Sequence, residues 1–153
     1  DVMSKGPLAA FPMVGIKVTL NDGKYHDVDS SDLAYQLAAR TAMREAVKKS
    51  SPVLMEPVMK VEVETPSDFQ GSVIGDLSSR RGVVYGTEVN GDDTVINAGV
   101  PLGEMFGYAT QLRSLTSGKA NYSMEFEKYN RCPAFVQEKV IKERAEKMRE
   151  EQG

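Results

Sequence analysis

A single cysteine, Cys132, and a single histidine, His26, are all the sequence has of these two residue types. One cysteine excludes an intrachain disulfide, and one of each cannot make a Cys/His zinc site of ordinary spacing within one chain. No Gly-x-x-x-x-Gly-Lys-Ser/Thr stretch occurs, so no loop of that kind cradles a nucleoside triphosphate. No apolar run approaches the roughly 20 residues that span a bilayer. The start, Asp1-Val2-Met3-Ser4-Lys5, lacks the charged-then-apolar layout of a signal peptide. These absences lead us to expect a cytoplasmic protein, or one of an organelle matrix after removal of a targeting segment.

Charge is also scarce in net terms. The formal charge is −3, with an apolar fraction of 41% and a charged fraction of 27%, the profile of a globular domain. Residues 1–57 hold seven basic and seven acidic residues, 58–132 seven and ten, and 133–153 five of each. Any RNA contact must therefore come from local basic points rather than from a global field. A length of 153 residues allows one ordinary domain or two small ones.

What is present is periodic. Residues 1–5 read as the end of a helix, broken by Gly6-Pro7. Over residues 13–20, Val14, Ile16, Val18 and Leu20 alternate with smaller or polar residues, which predicts a half-buried strand. Asn21-Asp22-Gly23 then signals a turn, and the polar loop runs to Asp29. Ser30 or Ser31 can cap a helix whose stripe is Ala34, Leu37, Ala38, Thr41, Ala42 and Ala46. The small residues predict close packing on a sheet. Val53-Leu54-Met55 reads as a short buried strand stopped by Pro57.

A second pattern follows. Met59, Val61 and Val63 alternate with Lys60, Glu62 and Glu64, predicting a strand. Thr65-Pro66 predicts a helix start, with Phe69, Val73, Ile74 and Leu77 on one face. A strand over 83–89, a turn at Asn90-Gly91 and a strand over 94–100 come next. Leu102, Met105, Phe106, Ala109 and Leu112 make a helical stripe, and Ala120, Tyr122, Met124 and Phe126 a last strand. The order β-α-β-β-α-β over residues 58–130 is the split βαβ, or ferredoxin-like, unit, with two helices on one face of a four-stranded antiparallel sheet. Residues 133–152 predict a separate helix, supported by Glu138–Lys142 and Glu143–Lys147 pairs and fraying beyond Arg144.

The loop Tyr25-His26-Asp27-Val28-Asp29-Ser30-Ser31 resembles the tip of domain IV of elongation factor G. The resemblance continues through Leu54-Met55-Glu56-Pro57-Val58-Met59-Lys60-Val61-Glu62-Val63, Val73-Ile74-Gly75-Asp76-Leu77 and Arg80-Arg81-Gly82. It returns in Glu104-Met105-Phe106-Gly107-Tyr108-Ala109-Thr110 and Leu112-Arg113-Ser114, and covers roughly residues 6–130. The resemblance implies an α+β chain. Residues 1–57 would be the C-terminal half of domain IV (ribosomal-protein-S5-like), 58–131 domain V (ferredoxin-like), and 132–153 a C-terminal helix. A half-domain would leave an unpaired sheet edge around residues 13–20.

The resemblance also implies sites. Asp22, Gly23, Lys24, Tyr25, His26 and Asp27 would enter the ribosomal decoding centre beside the tRNA–mRNA duplex. A neutral imidazole both donates and accepts hydrogen bonds there, although without the resemblance a loop histidine is more readily read as one that steadies its own turn. Arg113, Ser114 and Lys119 would contact the sarcin–ricin loop of large-subunit RNA, where arginine adds salt-dependent affinity without base specificity. Arg80 and Arg81 could join them, or could complement the dipole of the helix they end. The third strand lacks the aromatic pattern of an RNA-recognition motif. No cofactor is expected in this chain, GTP and magnesium belonging to an N-terminal GTPase domain of the whole factor. Expected partners are the ribosome and that factor's N-terminal domains, with no membrane. A ribosome-recycling or ribosomal-protection GTPase of similar architecture is a competing reading. A small hydrolase using His26 with Asp22, Asp27 and Asp29 is a competitor of another class.

Overall fold

The computed structural model describes residues 2–6, 8–9, 11–13, 16–18 and 31–152. In chain order the elements are α1 (Asp32–Lys49), β1 (Met55–Pro66), α2 (Gln70–Ser79), β2 (Val83–Asn90), β3 (Asp93–Pro101), α3 (Tyr108–Thr116), β4 (Asn121–Arg131) and α4 (Ala134–Glu150). They fall into two units: residues 1–54 together with 132–153, and Met55–Arg131.

The second unit has the predicted order and class. Its four strands are all antiparallel and lie in the order β2-β3-β1-β4. Alternation puts Val61, Val63 and Thr65 of β1 on one face with Ile96, Ala98 and Val100 of β3, all fully buried. Val73 and Leu77 of α2, and Tyr108 and Leu112 of α3, close that face into one apolar core. Each fully buried aliphatic side chain stabilises the fold by about 1.5–3 kcal/mol relative to an exposed one.

Three local readings of this unit are corrected. Pro57 does not stop a strand, because β1 runs through it and pairs it with Tyr129. The ladder with β3 begins only at Val58, so Pro57 lies beyond its end, where a missing N–H is tolerated. Thr65-Pro66 does not start a helix. Both residues still pair with β3, Thr65 is buried, and a single 3-10 turn, Ser67–Phe69, precedes α2. Phe106 does not belong to the buried stripe. A 3-10 turn at Leu102–Glu104 and a left-handed Gly107 (φ 72°) break the helical spacing, so that Met105 and Tyr108 turn inward and Phe106 outward.

In the first unit Ser31 caps α1, its Oγ accepting from the Ala34 N–H at 3.2 Å. The predicted packing stripe is not buried among the described residues. Leu37 is 51% exposed, Ala38, Thr41, Ala42 and Ala46 are exposed, and the buried residue of the helix is Val47. No strand occurs among the described residues of this unit that could cover them. Met13, Ile16, Lys17 and Val18, the described part of the strand expected over 13–20, are irregular. The Met13 N–H instead bonds the Met3 carbonyl at 2.6 Å. Val53 and Leu54 are outside the β1 strand, and Val53 and Met55 are exposed rather than buried.

α4 continues past Arg144 to Glu150. Arg144 stacks over Phe11 at 5.4 Å, and Ile141, Ala145 and Met148 line a hollow with Leu8 and Ala9. Its i,i+4 ion pair is Lys139–Glu143 at 3.8 Å, while the pairs expected at Glu138–Lys142 and Glu143–Lys147 are not formed. No described helix is long and apolar enough to cross a membrane.

Candidate nucleic-acid interface

The loop residues Asp22, Gly23, Lys24, Tyr25, His26 and Asp27 lie outside the described residues. The remaining expected site residues sit at the ends of two helices of the second unit, and the structure separates them into two kinds.

Arg80 and Arg81 follow α2, whose last turn is tied down by buried Leu77. Arg80 Nε donates to Asp76 Oδ2 at 3.1 Å, one turn back. Its Nη1 donates to the carbonyl oxygens of Glu104 (2.5 Å) and Phe106 (3.2 Å), and its guanidinium lies over the Tyr108 ring at 5.2 Å. Arg81 occupies left-handed backbone (φ 58°) that aims its side chain at β1. There it grips both carboxylate oxygens of Glu56 at 2.9 Å, while Nε donates to Glu104 Oε1 at 3.2 Å. The bonds from Glu56 raise the Arg81 guanidinium above its ordinary range against the opposing effect of burial, so it is charged at every accessible pH. Both arginines therefore serve as internal ties, joining α2 to the start of β1 and to the segment before α3. Simple dipole complementation does not describe them, and nothing in the run Arg80-Arg81-Gly82 reveals the partners 23 to 26 residues away.

Arg113, Ser114 and Lys119 differ. Tyr108, Leu112 and Thr116 recur at helical spacing and bury one side of α3, which turns Arg113 and Ser114 to solvent. Ser117 and Gly118 end the helix in left-handed conformation (φ 52° and 75°), and the Gly118 N–H returns to the Arg113 carbonyl at 3.0 Å. That closure brings exposed Lys119 back to the turn that carries Arg113. Neither cation has an ion pair among the described residues. From Tyr108 to Lys119 the sequence has no acidic residue, whereas Met55–Arg131 as a whole holds seven basic and eleven acidic ones. The carboxylates of Glu62, Glu64 and Glu125 stand on exposed positions of the sheet. The α3 segment thus contributes cations and no carboxylate of its own in an acidic unit, which suits an anionic partner.

Tyr108 is only 1% exposed, and Tyr122 meets it edge-on at 5.0 Å. Its Oη is buried with no hydrogen-bond partner, and burial pushes its pKa up. Among the described residues no group of three or more His, Cys, Asp or Glu is placed to hold a metal ion. Cys132 is buried, and its N–H bonds the Leu54 carbonyl at 2.9 Å, as suits a structural thiol.

The model of the family described as "Elongation factor G C-terminus" matches residues 53–140, and that of "Elongation factor G, domain IV" matches residues 1–51. The chain belongs to the elongation factor G family. Elongation factor G of Aquifex pyrophilus is 54% identical over 144 residues, covering 94% of this chain. A crystal structure of a Thermus thermophilus chain superposes with a TM-score of 0.85 at 40% identity over 95% of this chain. This chain spans 21% of the Aquifex protein's length and 22% of the Thermus chain. The elongation factor G likeness thus extends over both units and carries the ferredoxin-like order with it.

Proposed function

We propose that this chain is the ribosome-contacting C-terminal part of a translocase, a factor that moves tRNA and mRNA during translation elongation at the expense of GTP. The observation that carries the reading is the 54% identity to an elongation factor G across 94% of this chain. The loop of residues 22–27 enters the decoding centre, where His26, Tyr25 and Lys24 meet RNA by hydrogen bonding, stacking and charge. It acts there as a wedge against backward slippage. The exposed strip of Arg113, Ser114 and Lys119 anchors on large-subunit RNA, the sarcin–ricin loop, through phosphate contacts. Arg80 and Arg81 hold the platform in shape beneath it. GTP binding and hydrolysis reside in another part of the whole factor, which works in the cytoplasm, and this chain binds rather than catalyses.

The test is His26→Ala in the full-length factor. Translocation should slow while ribosome-stimulated GTP hydrolysis persists. Loss of hydrolysis with normal translocation per GTP would refute the wedge. GTP turnover above background by this chain alone would refute its assignment as a binding part.

A further inference from the structure

Phe106 is 82% exposed, more than any other large apolar side chain among the described residues. An aromatic ring so exposed loses the burial that ordinarily stabilises it, so its presentation calls for a cause. Its backbone, by contrast, is firmly held. Arg80 Nη1 bonds the carbonyls on both sides of buried Met105, those of Glu104 and Phe106. Arg80 is itself fixed by Asp76 and by the Tyr108 ring, and Glu104 by Arg81. Gly107, at φ 72°, supplies the left-handed step that sends Phe106 outward just before Tyr108 turns in. Two buried anchors, an arginine clamp and a left-handed residue thus pin the Cα of a ring that packs on no other described aromatic ring.

We infer that Phe106 is a stacking anchor for an unpaired base of the RNA that the α3 strip contacts. The inference rests on the large-subunit reading above and adds a residue and a mode of contact to it. Only Gly107 separates Phe106 from α3, whose nine residues span about 13 Å. Along the chain an exposed ring thus stands before α3, and two exposed cations, Arg113 and Lys119, stand towards and just past its far end. That pairing of a flat apolar ring with the cations of a segment, residues 108–119, that has no acidic residue is what single-stranded RNA requires, a base to stack and phosphates to neutralise. A purely apolar protein pocket would have no use for the cations.

The chain has no tryptophan, so Phe106→Trp creates a single indole at the site. Purified large ribosomal subunits are titrated into this chain and its variants. We expect quenching of the indole without a blue shift, and near-parental affinity for Phe106→Trp. Phe106→Ala should bind ~10-fold more weakly with an unchanged salt slope, whereas Arg113→Ala should reduce that slope by about one. If Phe106→Ala binds like the parent while Arg113→Ala is weakened, the anchor is overturned and the RNA strip stands. If the parent chain does not bind the subunits, the large-subunit reading falls and the anchor with it. A blue-shifted, brighter indole would mean an apolar protein pocket and overturn the stacking assignment.

Discussion

Tyr85 Oη donates to Glu127 Oε2 at 2.8 Å across the outer face of the sheet, from the β2 edge to the β4 edge. Two irregularities aim the pair. The β2–β3 register skips Tyr85, and the β1–β4 register skips Glu127, so each is the extra residue of a bulge. Between them lies Gly99 of β3, where a Cβ would come within 2.8 Å of Tyr85 Cζ and closer still to its Oη. The bulges and the missing side chain together let one phenol bridge the whole face.

Gly99→Ala should therefore displace Tyr85 and break its bond to Glu127. Both ends are partly exposed, so we expect a loss of about 1 kcal/mol. Tyr85→Phe should cost about 0.5–1 kcal/mol, and the double variant less than the sum, because both remove one interaction. Urea unfolding of the three variants measures this, and strict additivity would contradict the bridge.

Both Tyr85 and Tyr108 have pKa values raised above the ordinary 10.0, in each case chiefly by desolvation. A raised tyrosine favours the protonated fold. Its stabilising contribution is complete below pH 10 and is lost as pH rises from there through the folded value. Stability should thus fall on the alkaline side of pH 10, and Tyr108→Phe should flatten that fall. Near pH 7 the same substitution should be nearly neutral or slightly stabilising, since the buried Oη has no partner to lose. Melting temperatures from pH 7 to 11 give both answers.

Arg81 is an internal tie of the same unit. Arg81→Lys cannot reproduce the two-pronged grip on Glu56 together with the Glu104 bond, so it should not behave as a conservative change. We expect a loss of about 1–3 kcal/mol for Arg81→Lys or Glu56→Gln. Arg113→Ala, on an exposed helix surface, should change stability by less than about 0.5 kcal/mol. Chemical denaturation that ranked Arg113→Ala as the more damaging would contradict the division between internal ties and surface cations.

Core and exposed apolar residues should separate in the same way. Leu77→Ala removes a fully buried side chain and should cost about 2–5 kcal/mol. Phe106→Ala should cost less than about 0.5 kcal/mol. A large loss at Phe106 would mean that the ring packs in the fold after all.

Much of the second unit was legible in the sequence because its signals are periodic. Alternation in Met59, Val61 and Val63 and the helical spacing of Val73 and Leu77 follow from burying one face, so element order and sheet class could be read directly. The misreadings arose where long-range pairing overrode local preference. Pro57 and Thr65-Pro66 look like breaks, but β4 carries the ladder through Pro57 and β3 carries it as far as Pro66. Phe106 fits a helical stripe by spacing, but the clamp on its backbone comes from Arg80, 26 residues earlier. Arg80 and Arg81 look like a solvated basic pair until Glu56, Glu104 and Tyr108 are folded against them. In α1 the apolar spacing is genuine, yet Leu37 and its neighbours are exposed among the described residues, since periodicity shows a face and not what covers it.

The central claim is that the Arg113 end of α3 lies against large-subunit RNA. It is tested most directly by tethering an iron chelate to a cysteine at position 114, Ser114→Cys with Cys132→Ser, in the full-length factor bound to ribosomes. The account predicts hydroxyl-radical cuts confined to large-subunit RNA around the sarcin–ricin loop, lost when the chelate is moved to Glu62→Cys on the sheet. Stable binding with no cut in large-subunit RNA from position 114 would contradict it.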